Sequence, residues 1–101
     1  MPFRARLLCV GKDPALLQTR CAVLCRHGYD STSATVAEAE IPLRTEEFDL
    51  VVVSAFLSGF EKDRVISAAG EIPTLVLEGL TLASELLAQV ELLLSSVRQE
   101  P

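Results

Sequence analysis

The 101-residue chain carries three thiols, Cys9, Cys21 and Cys25, and a single imidazole, His27. A thiolate can act as a nucleophile or a metal ligand, and an imidazole as a base or a ligand. The spacing argues against both uses. Cys21 and Cys25 stand four apart in a helical pattern, which is not C-x-x-C, and one histidine supplies no second pair of ligands. The plain reading is three free thiols packed as small apolar side chains in a reducing cytosol. His27 directly precedes Gly28, at a helix end where a partly cationic imidazole suits the dipole. Neither G-x-G-x-x-G nor G-x-x-x-x-G-K-[ST] occurs, so no phosphate-cradling loop is encoded.

Composition removes further classes. Nine Lys and Arg stand against fourteen Asp and Glu, a net charge of -5, with no basic cluster. Nucleic acid is therefore not an expected partner. Half the chain is apolar and 23% is charged, enough for one buried core. A single domain over residues 1–101 is expected. Residues 1–6 lack the long apolar stretch of a signal peptide, and no run approaches membrane-spanning length. The expectation is a cytoplasmic protein with no membrane partner and no cofactor.

Three apolar runs would position any site: Leu7–Val10, Leu50–Val53 and Leu75–Leu77. Each is short, apolar without alternation and bounded by polar or breaking residues, as a parallel strand covered on both faces would be. Helical patterns separate them. Asp13 is placed to cap the first, Pro14 to start it and Gly28 to stop it, with Leu17, Cys21 and Leu24 as its buried stripe. Tyr29–Ala34 is polar and suits an edge strand. Residues 35–47 read as a weak helix that Pro42 should break or shorten. Ser58 and Glu61 form a capping box for a helix ending near Gly70. Thr81 should cap the last helix, whose apolar face is Leu82, Leu86, Val90, Leu93 and Val97.

The pattern β-α-β-α-β-α-β-α predicts an α/β fold, a flavodoxin-like doubly wound parallel sheet of four strands in the order 2-1-3-4, with helices on both faces. In such sheets ligands sit at the carboxyl ends of the first and third strands. That points to Gly11, Lys12 and Asp13, to Ser54 and the loop after it, and to Glu78.

At these positions the chain resembles the receiver domain of two-component response regulators. The likeness runs in register through Leu7–Leu17, Gly28–Asp30, Phe48–Val53, Ile72–Leu77 and Glu85–Val90. The resemblance implies an acidic pair after the first strand that holds Mg²⁺, a phosphoacceptor Asp ending the third strand, and a Thr or Ser after the fourth. Here those positions fall on Gly11 and Lys12, on Ser54, and on Glu78. Asp13 is better explained as the helix cap than as a remaining ligand. Gly11 offers no side chain and Lys12 a cation, whereas Mg²⁺ requires oxygen donors. Ser54 is a neutral hydroxyl with no evident base. Only Glu78, Gly79 and Leu80 separate Leu77 from the cap of the last helix, so one βα unit of the family is missing.

The implied function is a non-catalytic receiver-like module of a phosphorelay, acting through protein partners and not phosphorylated on Asp. Lys12 and Glu78 are expected either to form an ion pair across the crevice or to stand as solvated charges. Loss of a βα unit leaves the fourth strand as an apolar edge, to be covered by the last helix or paired in a homodimer. The alternative is a small phosphocarrier like the phosphotransferase-system IIB proteins, with Cys9 as the phosphorylated thiol. That reading lacks a cradle of amides, because the loop after Cys9 holds Asp13 and Pro14.

Overall fold

The computed structural model describes residues 5–77, 79 and 81–98. Strand and helix alternate throughout: β1 (Arg6–Val10), α1 (Pro14–Arg26), β2 (Asp30–Ala34), α2 (Val36–Thr45), β3 (Leu50–Val53), α3 (Gly59–Ala69), β4 (Thr74–Val76) and α4 (Ala83–Arg98). All pairings are parallel, in the order β2-β1-β3-β4. Leu7 lies beside Leu50 and Val10 beside Val53, so the two most apolar strands fill the centre of the sheet.

Side chains alternate along a strand, which divides this centre between two faces. Leu8, Val10, Val51 and Val53 pack under α2 and α3 with Val36, Ala39, Leu43, Val65 and Ala68. Leu7, Cys9, Leu50 and Val52 pack under α1 and α4 with Leu17, Leu24, Leu86, Val90 and Leu94. Each such fully buried aliphatic side chain stabilises the fold by about 1.5–3 kcal/mol relative to exposure. Burial on both faces is the physical reason these strands show no polar alternation.

Helix boundaries follow local chemistry. Asp13 Oδ1 accepts from the N–H groups of Ala15 (3.0 Å) and Leu16 (3.4 Å), and Pro14 occupies the first turn, where its missing N–H costs nothing. Gly28 follows the helix with φ 91°. Ser58 and Glu61 form the expected reciprocal capping box of α3, and Gly70 ends it with φ 62°.

Three expectations are corrected. Pro42 does not break α2: the helix continues to Thr45, and the Glu46 N–H donates to the Pro42 carbonyl at 2.8 Å. The proline sits within the last turn, and a second capping box at the other end, Thr35 with Glu38, holds the helix start. An ion pair between Arg64 and Glu40 also joins α3 to α2.

Thr81 does not cap α4. Its hydroxyl donates to the Gly79 carbonyl at 3.5 Å, and the Leu82 carbonyl accepts the first helical N–H, from Leu86. The buried stripe of α4 is accordingly Leu86, Val90 and Leu94, with Leu87 and Leu93 partly buried, while Leu82 is 69% exposed. The side chain of Val97, assigned to that face from the sequence, lies outside the described residues.

The thiols are also not uniformly buried: Cys9 is, Cys21 is half-buried and Cys25 is exposed. In place of Cys21, Arg20 is buried on α1 beside Leu17 and Leu24.

β4 pairs only with β3 among the described strands. α4 lies over the face of the sheet rather than along its edge, and a groove of about 350 Å³ runs between them, lined by Leu75, Gln89, Leu92, Leu93 and Ser96. Among the described residues no helix is long and apolar enough to cross a membrane.

Candidate functional site at the carboxyl ends of β1 and β3

Parallel pairing brings the ends of β1 and β3 side by side, so the residues that follow them meet. Gly11 follows β1, its N–H donating to the Ala34 carbonyl at 3.2 Å. Ser54 follows β3, its N–H donating to the Val10 carbonyl at 2.9 Å. Both are buried, Ser54 at 4% exposure. A Cβ placed on Gly11 would stand 3.1 Å from Ser54 Cβ and 3.2 Å from Leu17 Cδ2. The absence of a side chain at Gly11 is therefore what lets Ser54 and Leu17 close over this end of the sheet. The Ser54 hydroxyl is engaged as well, accepting from the Phe56 N–H at 3.4 Å.

Lys12 and Asp13 turn away from one another. One carboxylate oxygen of Asp13 takes the first N–H groups of α1, as expected of a cap. Lys12 Nζ reaches Glu61 Oε1 at 2.8 Å, bridging the β1–α1 loop to the first turn of α3. The same oxygen accepts the Ser58 N–H at 3.0 Å. The Lys12 ammonium, and after it the Ser58 N–H, holds the Glu61 carboxyl below its usual 4.5. The expected partner of Lys12 was Glu78, which lies outside the described residues. The bridge instead goes to Glu61, whose place in the Ser58 capping box gave no sign of a second role. A small cavity of about 150 Å³ at this end is lined by Lys12, Gln18, Ser33, Thr35 and Glu38, among others, and Ser54 is not part of its wall.

This donor set does not fit Mg²⁺. Among the described residues, Gly11 has no side-chain donor, the Asp13 carboxylate caps α1, Lys12 places a cation at the mouth, and Ser54 offers one neutral, engaged hydroxyl where hard oxygen ligands are required. The phosphocarrier alternative fails on position. Cys9 is wholly buried within β1 under α1 and α4, so its sulfur faces the core and not a loop at the strand end.

A different cluster, invisible in the spacing, lies where α1 crosses β1 and β2. Ser31 Oγ donates to Cys21 Sγ at 3.4 Å and stands 3.6 Å from Cys9 Sγ, while the Cys25 thiol donates to the Ser31 carbonyl at 3.8 Å. The neighbouring Cys9 thiol, with help from Ser31 and Ser33, lowers the Cys21 thiol to about 6. The Cys9 thiol is pushed up, first by the neighbouring Cys21 and then by burial.

No family model and no curated protein matches the chain. Solved structures do. A CheY-like response regulator receiver domain protein from Methanospirillum hungatei superposes with a TM-score of 0.70 at 17% identity, over 95% of this chain and 98% of that one. NtrX from Brucella abortus, solved with ADP, gives 0.70 at 15% identity over 97% of this chain, which spans only 28% of NtrX. The non-phosphorylated HemR receiver domain from Leptospira biflexa gives 0.59 at 30% identity, over 91% of this chain and 76% of that domain. The first two show the shared fold, and the third adds 30% sequence identity over most of both chains: the chain belongs to the response-regulator receiver family.

Proposed function

We propose that this receiver domain has left phosphoryl chemistry and acts in a two-component pathway of the cytoplasm as a fixed protein-contact module. The observation that supports the reading is the close approach of Ser54 and Leu17 to Gly11, the position to which the resemblance carries one of the receiver's metal-binding carboxylates. The Lys12–Glu61 bridge supports it by tying together the two loops that border that place. In the loop after β3 Phe56 is 59% exposed, and in the first turn of α3 Phe60, which lines a groove against α2 with Glu40 and Arg44, is 73% exposed; exposed aromatics are favoured anchors in protein interfaces. We assign the partner to this rim.

The outer edge of β4, which pairs only with β3 among the described strands, and exposed Leu92 beside the groove support a second contact, between two copies of the chain. Amide NMR of labelled protein during titration with Mg²⁺ and beryllofluoride, a phosphoryl mimic, tests the first part. Unchanged resonances at Gly11, Lys12 and Ser54 are expected. Saturable shifts centred on Ser54 would overturn the reading. Light scattering on the same sample tests the second: a dimer that Leu92→Lys converts to monomer is expected, and a monomeric wild type refutes it.

A further inference from the structure

We propose that Cys21 and Cys9 form a hydroperoxide-responsive thiol pair, bridged by Ser31, whose oxidation yields a disulfide tying α1 to β1. The placement makes this specific. Cys9 and Cys21 come from different elements, one from the central strand and one from the helix above it, and the Ser31 hydroxyl of β2 touches both sulfurs. Cys21 is half-buried, open enough for a small peroxide, whereas Cys9 is wholly buried. The arrangement thus has an outer thiol to be attacked first and an inner thiol to resolve it.

The hydrogen bonds set the order of events. Ser31 O–H donates to Cys21 and can itself accept from Cys9 S–H, a relay that favours the proton on Cys9 and the negative charge on the outer sulfur. The Cys21 thiolate attacks one oxygen of the peroxide. The O–O bond breaks, the sulfur becomes a sulfenic acid, and the departing alkoxide or hydroxide takes up a proton. The neighbouring Cys21 thiolate, which had held the proton on Cys9, is then gone. The buried Arg20 guanidinium favours the Cys9 thiolate by its charge. Cys9 sulfur attacks the sulfenyl sulfur, the S–S bond forms, the S–O bond breaks, and hydroxide leaves with the Cys9 proton as water. Two thiols and one hydroperoxide give one disulfide, one water and one alcohol, or a second water when the oxidant is hydrogen peroxide.

Cys25, although the most exposed thiol, plays no part. Its sulfur turns to the Ser31 carbonyl, away from the shared hydroxyl. The proposal rests on the thiols and Ser31 alone and does not depend on the function proposed for the crevice.

The test is peptide mapping by mass spectrometry after brief treatment of the folded protein with hydrogen peroxide. A cross-link between the peptides holding Cys9 and Cys21 is expected, with loss of two hydrogens. The Cys25→Ser variant, altered at an exposed position, should form the same link in the same yield. In Cys9→Ala the reaction should stop at a Cys21 sulfenic acid that dimedone traps. A companion measurement separates an activated thiol from a merely accessible one. Alkylation of Cys21 by iodoacetamide should slow only about twofold between pH 8 and pH 6, where a thiol at the usual 9.0 slows about a hundredfold. A cross-link that requires Cys25, oxidation confined to Cys25, or a hundredfold slowing at Cys21 would each overturn the proposal.

Discussion

Gly11→Ala is the sharpest probe of whether the end of the sheet is closed. Its φ lies outside the left-handed region, so alanine meets no backbone strain there and should stabilise by about 0.4–1 kcal/mol through a stiffer unfolded chain. Against this, the new methyl stands 3.1 Å from Ser54 Cβ and 3.2 Å from Leu17 Cδ2, and both neighbours belong to buried side chains with little room to retreat. Overpacking of this kind costs about 1–3 kcal/mol. The balance is a net loss of about 1.5 kcal/mol, which for a domain of this size lowers Tm by about 6–12 °C. Urea unfolding followed by far-ultraviolet circular dichroism should show a lower midpoint with an unchanged slope. Removing the Ser54 Cβ with Ser54→Gly relieves one of the two contacts, so the cost of Gly11→Ala should fall by about half in that background. A neutral or stabilising Gly11→Ala, or a cost indifferent to Ser54→Gly, would refute the closed crevice and reopen the site to a ligand.

Two further outcomes are expected. The Cys21 thiol is lowered to about 6 in the folded protein against an ordinary 9.0, so between those values the folded state holds one proton fewer than the unfolded state, and stability climbs with pH. Above 9 the sign reverses, because Cys9 keeps in the folded state a proton that the unfolded chain gives up. The charged and titratable groups around the pair are Arg20 and the thiols themselves, with Ser31 and Ser33 as donors. Tm measured from pH 6 to 9 should therefore rise in the wild type relative to Cys21→Ser, and parallel profiles would show that no thiolate forms. For α4, Leu86→Ala should cost about 2–4 kcal/mol because the side chain is 2% exposed, and Leu82→Ala less than about 0.5 kcal/mol because it is 69% exposed. Equal costs would mean that the helix presents the face read from the sequence rather than the one described here.

Strand order and helix order were legible because they rest on local, unambiguous signals. Leu50–Val53 can only be a strand buried on both faces, and Asp13-Pro14 and Ser58-x-x-Glu61 announce helix starts whatever surrounds them. The last helix was legible as an element but not in its register. Leu82, Leu86, Val90 and Leu93 make as good a stripe on paper as Leu86, Val90 and Leu94, and only the sheet beneath decides between them. Pro42 misled for a related reason: its cost depends on how many turns follow, and the sequence does not mark that end of α2. At the site, Gly11 and Ser54 were found by the rule that crevices lie at strand ends, which is a statement about topology. Partners that depend on distance were not. Glu61 already had a local explanation as a capping residue, and Ser31 looked like one polar residue among several on an edge strand. Its contact with two thiols exists only because β2 lies beside β1 with Cys9 flanked by Ser33, and α1 crosses above.

A two-state switch requires a ligand or modification that interacts differently with its two states. In a receiver that interaction is a charge created at the end of β3, and here Ser54 sits buried with its hydroxyl engaged and a lysine–glutamate bridge across the mouth. On the proposed reading, whatever still biases this domain acts elsewhere, and α1 is an element through which it can reach the crevice. Its first turn is held by Asp13 beside Lys12, its Leu17 packs on Gly11, and one turn further along the same helix Cys21 rests on Cys9. A disulfide between those thiols would fix α1 to β1 at one point and thereby restrict how Leu17 and the Lys12 loop can move relative to Ser54. If both proposals hold, oxidation and partner binding at the rim are coupled through α1. By linkage the coupling is reciprocal: a partner that binds the reduced form better must also protect the thiols from oxidation, by the same factor in the binding and oxidation equilibria.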